Sequence, residues 1–294
     1  KINFSPLPLT LAEGVEILSK SHGFEIDPNG MNVSVKKTEE NILSVSLQDH
    51  GNATIVYNKS IHFFRALGIL LQKIQENDFS YTKEECRFDT AGIMFDMSQG
   101  SAVILDTSMR DIIEHMAIMG LNMLMIYLED CFALQNHPYF GYMRPQYTEK
   151  DMKKIDDYAN IFGIEVIPCI QSIAHLIDVI KWSPYSSFAD TADILMVDDE
   201  RTYSFIEDMI AQVSKPFRTK RIHIGMDEAW KIGRGNYEDK NGPKGKHELM
   251  KKHLDRVYEI TEKYGLEPMM WSDMFFNTFD LEGYGNNYNP NAPI

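Results

Sequence analysis

The sequence predicts an α/β chain: a TIM-type (β/α)8 barrel whose C-terminal part lies outside this sequence, preceded by a small α/β domain. Three observations predict it. Five short apolar segments follow residue 89, with a helical pattern in each interval. Nearly every segment ends in polar or aromatic residues, where a barrel gathers its active site. No glycine-rich phosphate turn follows the first segment, which argues against the structural rival, a doubly wound nucleotide-binding sheet.

Residues 1–88 read as the small domain. Thr10 is placed to cap a helix running through Lys20. Met31–Lys36, Ile42–Leu47 and Ala53–Tyr57 read as strands, the last two joined as a hairpin by Asp49-His50-Gly51-Asn52. Ser60 then caps IHFFRALGILLQKIQ, whose apolar residues recur at helical spacing.

Residues 89–294 read as the barrel part. Its segments are AGIMFDMS from Ala91, MLMIYLED from Met123, IEVIPCIQ from Ile164, RIHIGMDEAW from Arg221 and EPMMWSDMF from Glu267. Their nearly continuous apolar character suits strands covered on both faces. Asp106 or Thr107 opens one intervening helix and Gly120 closes it. Thr148 with Asp151 forms a capping box for a second, which ends at Gly163, and a third runs from Lys246 to Tyr264 before Gly265. Five units are fewer than eight. The Asn-, Gly- and Pro-rich stretch from Asn277 onward leads to the expectation that about three more units lie beyond this sequence.

The formal net charge of −14 disfavours a nucleic-acid partner, because phosphate contacts need clustered Lys and Arg. Cys86, Cys131 and Cys169 show no metal-ligand spacing and are odd in number, so each is expected to be a small buried hydrophobe. No apolar run is long enough to cross a membrane. The expectations are a reducing, cytoplasmic setting and no metal or cofactor. The start at Lys1 leaves room for a removed upstream segment.

The sharpest motif is His223-Ile224-Gly225-Met226-Asp227-Glu228-Ala229-Trp230. Two adjacent carboxylates close an apolar strand. Strand neighbours point to opposite faces, so both enter one pocket only if the backbone bends there. Two close carboxylates separate into an acid and an anion, the division that glycoside cleavage uses.

HIGMDEAW resembles the H-x-G-x-D-E signature of the family 20 glycoside hydrolases, the β-N-acetylhexosaminidases. The resemblance covers the whole chain, since the leading unit is similar to the non-catalytic domain that precedes the barrel in this family. It implies exo-hydrolysis of terminal β-linked N-acetylglucosamine or N-acetylgalactosamine through an oxazolinium intermediate, with the sugar's acetamido oxygen as nucleophile. It implies Glu228 as general acid and then base, and Asp227 as the group that orients the acetamido nitrogen. Glu129, where the family commonly has Asp, and Asp130 end the second strand, and the resemblance pairs Glu129 with His175. Trp271 is expected to wall the acetamido pocket, with core packing as the competing reading. Asp273 accepts a sugar hydroxyl or holds a loop.

The departure is at the first strand, where Gln99 stands in place of the family's arginine and puts the usual hydroxyl contacts in doubt. Arg144 lies in the aromatic loop His137–Tyr147, which borders the leaving-group side or simply packs. The expected partner is a small-molecule or oligosaccharide substrate, with a homo-oligomer left open. The reading from another class is a non-catalytic amino-sugar-binding protein on the same scaffold.

Overall fold

Alternation of apolar and polar residues builds a mixed sheet in the first part of the chain. The computed structural model describes residues 1–49, 51–98 and 106–276. The leading elements are β1 (Ile2–Ser5), α1 (Leu9–Ser21), β2 (Met31–Lys37), β3 (Ile42–Leu47), β4 (Asn52–Tyr57), α2 (Ser60–Glu76) and β5 (Thr82–Glu85). The strand order is β1-β2-β4-β3-β5. β2 pairs parallel with β1 and β4, and β3 pairs antiparallel with β4 and β5. Val33, Val35, Ala53, Ile55 and Tyr57 are buried on alternate positions, and α2 contributes Phe63, Phe64, Leu67 and Leu70 to the core.

Two local readings are corrected here. α1 starts at Leu9 with Pro8 before it and no side-chain cap, so Thr10 lies inside the first turn. Ser60 is the first helical residue of α2, and Lys59 takes the cap position. β1 and β5 escape pattern reading because each is only four residues long and β5, TKEE, has no apolar alternation.

The later elements are β6 (Gly92–Asp96), α3 (Asp106–Met119), β7 (Met123–Tyr127), α4 (Glu149–Ile161), β8 (Glu165–Cys169), α5 (Ile177–Ile180), α6 (Ser183–Ser186), α7 (Glu200–Ser214), β9 (Arg221–His223), α8 (Asn236–Asn241), α9 (Lys246–Lys263), β10 (Glu267–Met269) and α10 (Asp273–Phe276). The second sheet follows chain order, β10-β9-β8-β7-β6. β9 pairs parallel with β8 and β10. One more backbone bond ties each pair just past the strand ends: Met97 N–H to Tyr127 O, Leu128 N–H to Cys169 O, Ile170 N–H to His223 O and Ile224 N–H to Met269 O. Strands in chain order with helices between them establish the α/β class. The capping box forms as expected, with Thr148 N–H on Asp151 Oδ2 and Asp151 N–H on Thr148 Oγ1.

The chain divides into two compact units. One holds the first sheet and its helices, α3, most of α4 and the first residues of β6, β7 and β8. Within it the Phe64 ring meets Phe162 at 5.1 Å, and Ile118 O sits so close to Gly68 that a Cβ there would be 2.8 Å away. The other unit holds the carboxyl ends of β6, β7 and β8 and the described residues from Ile167 onward. Cys131 and Cys169 are buried as expected, whereas Cys86 is half-buried.

Candidate active site

The bend that the adjacent carboxylates require is present. β9 stops at His223, and the chain then turns through left-handed backbone at Gly225 (φ 74°), Met226 (φ 81°) and Glu228 (φ 51°). Alternation is thereby broken, and Asp227 and Glu228 both approach one imidazole. His175 Nε2 lies 3.3 Å from Asp227 Oδ2 and 3.7 Å from Glu228 Oε2, within ion-pair range but off the line of a hydrogen bond. Gly225 is required where it stands. A Cβ there would meet Gln171 Oε1 at 2.1 Å and Ile170 O at 2.8 Å.

Asp227 is held as an anion. Burial works to raise its carboxyl, but His175 and Gln171 outweigh that and hold it below the ordinary range. His175 responds in the opposite sense: its contact with Asp227 raises it above the usual histidine value, against burial. Gln171 Nε2 donates to Asp227 Oδ1 at 2.8 Å and to Tyr127 Oη at 2.9 Å. Tyr127 in turn donates to Glu129 Oε1 at 2.9 Å. Burial pushes the Tyr127 phenol far above its ordinary value, so it remains a donor. Glu228 reaches outward, with 60% of its side chain exposed.

His175 and Glu129 line one hollow together with Arg144, Ile177 and Asp178. Both hold left-handed backbone, His175 at φ 56° and Glu129 at φ 43°. Asp130 is buried beside Arg144, whose Nε is 3.3 Å from Asp130 Oδ1. Burial pushes the Asp130 carboxyl up, against the pull of that guanidinium. Asp273 Oδ2 accepts the Glu228 backbone N–H at 3.1 Å, so it holds the turn that carries the two carboxylates, and its buried Oδ1 has no hydrogen-bond partner among the described residues. Trp271 is 40% exposed, its backbone N–H on Gly225 O and its ring 4.9 Å from His223. His223 is buried and neutral. Burial lowers it to about 4, and its Nδ1 accepts the Gly225 N–H. Gln99 lies outside the described residues.

Beyond the expected residues, Tyr127 and Gln171 join the site, and Asp190 supports it. Buried Asp190 accepts backbone N–H groups from Gly233, Gly235 and Tyr237 at 2.6, 3.1 and 2.9 Å, pinning the segment that follows Glu228. The signal for Tyr127 and Gln171 was their place at strand carboxyl ends; nothing local marked Asp190. Among the described residues, no group of three or more His, Cys, Asp or Glu is placed to hold a metal ion, and no helix is long and apolar enough to cross a membrane.

The chain is similar to curated relatives and to solved structures. Hexosaminidase D of Bos taurus is 27% identical over 165 residues, covering 53% of this chain and 48% of the relative. The Homo sapiens hexosaminidase D is 26% identical over 172 residues, covering 53% of this chain and 34% of the relative. This chain thus matches half or less of the length of these curated relatives. Among solved structures, a chitobiase from Flavobacterium johnsoniae superposes with a TM-score of 0.74 at 19% identity, over 95% of this chain and 50% of that one. An exo-β-N-acetylglucosaminidase from Vibrio harveyi, in complex with N-acetylglucosamine, gives 0.73 at 17% identity over 96% and 53%. The profile of the glycosyl hydrolase family 20 catalytic domain matches residues 88–284, two thirds of the sequence, and the chain belongs to that family.

Proposed function

We propose that this protein is a β-N-acetylhexosaminidase that removes terminal, non-reducing β-linked N-acetylglucosamine or N-acetylgalactosamine with retention of configuration. The observation that carries the reading is Asp227, held ionised between His175 and Gln171 while Glu228 stands exposed beside it. A fixed anion next to a solvent-reachable carboxyl suits a substrate that supplies its own nucleophile. Glu228 protonates the leaving oxygen as the acetamido oxygen attacks the anomeric carbon; the oxazolinium ion then forms, and Glu228 takes a proton from the incoming water. Asp227 accepts the acetamido N–H as positive charge develops on that nitrogen. His175 keeps Asp227 in place, and the Gln171–Tyr127–Glu129 chain fixes its other oxygen. Trp271 offers an aromatic wall to the acetamido methyl group.

In this reading the five parallel strands begin a closed (β/α)8 barrel from residue 89, and residues 1–88 are a non-catalytic domain. The hexosaminidase and chitobiase names of the relatives support an acetamido sugar as substrate.

Release of nitrophenol from paired β-glycosides tests the proposal. The acetamido sugar is cleaved and the plain β-glucoside is not. Turnover of both alike would rule out substrate assistance. Binding of an oxazoline analogue without turnover of either would favour the non-catalytic binder. Glu228→Gln lowers turnover of a poor leaving group by about 10²-fold or more, and that of an activated aryl group far less. Equal losses on the two would remove Glu228 from the acid role.

A further inference from the structure

Helix α9 buries a stripe of Leu249, His253, Val257 and Ile260, at the spacing of one helix face. His253 is the polar member of that stripe and is wholly buried. Burial keeps its imidazole neutral, lowering it to about 4. Its Nε2 lies 3.0 Å from the backbone oxygen of Ser172, which can only accept, so Nε2 carries the proton. Nδ1 is left without a partner among the described residues. A buried lone pair of that kind destabilises the fold, and a leucine would complete the stripe without it. What histidine adds is the Nε2–H donor on Ser172.

Ser172 links the two stretches of backbone that carry the candidate site. No other donor among the described residues reaches its carbonyl. Its own N–H and hydroxyl both donate to Ile224 O, at 3.2 and 2.7 Å. Ile224 precedes left-handed Gly225, where the chain turns to present Asp227 and Glu228. Gln171, the donor to Asp227, comes immediately before Ser172, and His175, which faces both carboxylates, follows in the same loop. A buried polar link therefore runs from α9 through the loop after β8 to the turn after β9. The Tyr203 ring lies 5.5 Å from the His253 ring, which limits rotation of the imidazole. Neither nitrogen of His253 bonds a carboxylate, so its influence on the pair passes through Ser172.

We propose that His253 is a positioning residue of the candidate active site: by holding the Ser172 carbonyl, it fixes the loop of Gln171 and His175 against the turn that carries Asp227 and Glu228. Its effect on turnover rests on the hydrolase reading of that turn, whereas the geometry itself is measurable without turnover.

Substitutions of His253 in the complete protein test the proposal. His253→Gln can set an amide nitrogen near the place of Nε2, His253→Asn reaches only the place of Nδ1, and His253→Leu supplies no donor. The first readout is the titration of His175, followed by NMR through its ring protons. In the unmodified protein the contact with Asp227 raises that titration above the ordinary histidine value, with Glu228 and Glu129 adding to it. His253→Leu and His253→Asn bring it down towards the ordinary value, and His253→Gln retains it. The second readout is hydrolysis of the nitrophenyl acetamido-glycoside. His253→Leu and His253→Asn lower kcat by about tenfold or more, with a smaller effect on KM, and His253→Gln recovers most of the loss. Thermal melts establish that each variant is folded. The Asn and Gln variants both bury an amide, so their comparison decides the matter even where His253→Leu does not fold. An unshifted His175 titration in His253→Asn, or equal losses of kcat in His253→Asn and His253→Gln, overturns the proposal. A His175 titration that depends on residue 253, together with no nitrophenol release by the unmodified protein, upholds the positioning role and sinks the hydrolase reading.

Discussion

Four of the described non-glycine residues with positive φ are Glu129, His175, Met226 and Glu228, all at the candidate site. Each such conformation costs on the order of 1–3 kcal/mol and persists only where the surroundings enforce it. Here the enforcing contacts are visible: Asp273 on the Glu228 N–H, Gln171 on Asp227, and His175 against both carboxylates. The His175–Asp227 pair makes stability depend on pH. His175 is raised on folding, so its contribution is complete below the ordinary histidine value and fades as pH rises through the higher folded value. Asp227 is lowered, so its contribution is present above the ordinary carboxylate value and fades as pH falls through the lower folded value. The pair therefore stabilises most between about pH 4 and about pH 6.5. Urea unfolding at about pH 6 and about pH 8 checks this. The unmodified protein loses more stability across that interval than His175→Gln does; parallel losses would show that the pair is not formed in solution.

At the scale of elements, β9 is three residues long because left-handed Gly225 turns the chain out of the extended run, its carbonyl accepting the Trp271 backbone N–H. Replacing that glycine tests whether the turn aims the carboxylates. Gly225→Ala adds a methyl group onto Gln171 and Ile170 O and strains φ, at a cost of about 2 kcal/mol or more. Its displacement of Gln171 is expected to lower kcat by about tenfold beyond any loss of folded protein. Thermal melts alongside kcat separate the two effects, and kcat equal to that of the unmodified protein would mean that Gln171 does not hold Asp227. The elements also show where reading by pattern works. The three strands and the hairpin of residues 31–57, the helix from residue 60 and the Thr148–Asp151 box follow from short-range spacing. β1 and β5 do not, because strands of four residues pair through backbone groups whatever their side chains. The segments from Arg221 and Glu267 read as longer strands than they are: after β9 the apolar run continues into a buried turn, Ile224 to Met226, and after β10 it continues through Met270 into the exposed Trp271.

For the molecule as a whole, the first sheet carries more than its own core. Its compact unit extends beyond residue 88 to take in α3 and much of α4, through Phe64 against Phe162 and Gly68 against Ile118. A chain begun at residue 89 therefore exposes the buried faces of α3 and of the end of α4. The expected result is strong binding of a hydrophobic dye and loss of the cooperative melt. A shortened chain that melts as sharply as the longer one, without dye binding, would show that the part from residue 89 onward is self-sufficient. The chain spans about half of the Flavobacterium johnsoniae chitobiase it superposes on, so turnover by the complete protein is the measure of its activity.

The sequence by itself determined the α/β alternation, the placing of polar groups at strand ends and the adjacent Asp227–Glu228 pair, because these rest on spacing and residue type along one stretch of chain; the resemblance set His175 with Glu129, and only the tertiary structure set it against Asp227 and Glu228. Only the tertiary structure decided that Gln171, Tyr127 and Asp190 support that pair and that Asp273 holds its backbone. It alone decided that Arg144 reaches Asp130 and Asp178 and that Tyr142 meets Trp182. The physical reason is distance along the chain. A contact between residues on separate strands and loops, from 34 positions apart for Arg144 and Asp178 to 56 for Gln171 and Asp227, depends on how those elements converge, and no local periodicity records that convergence.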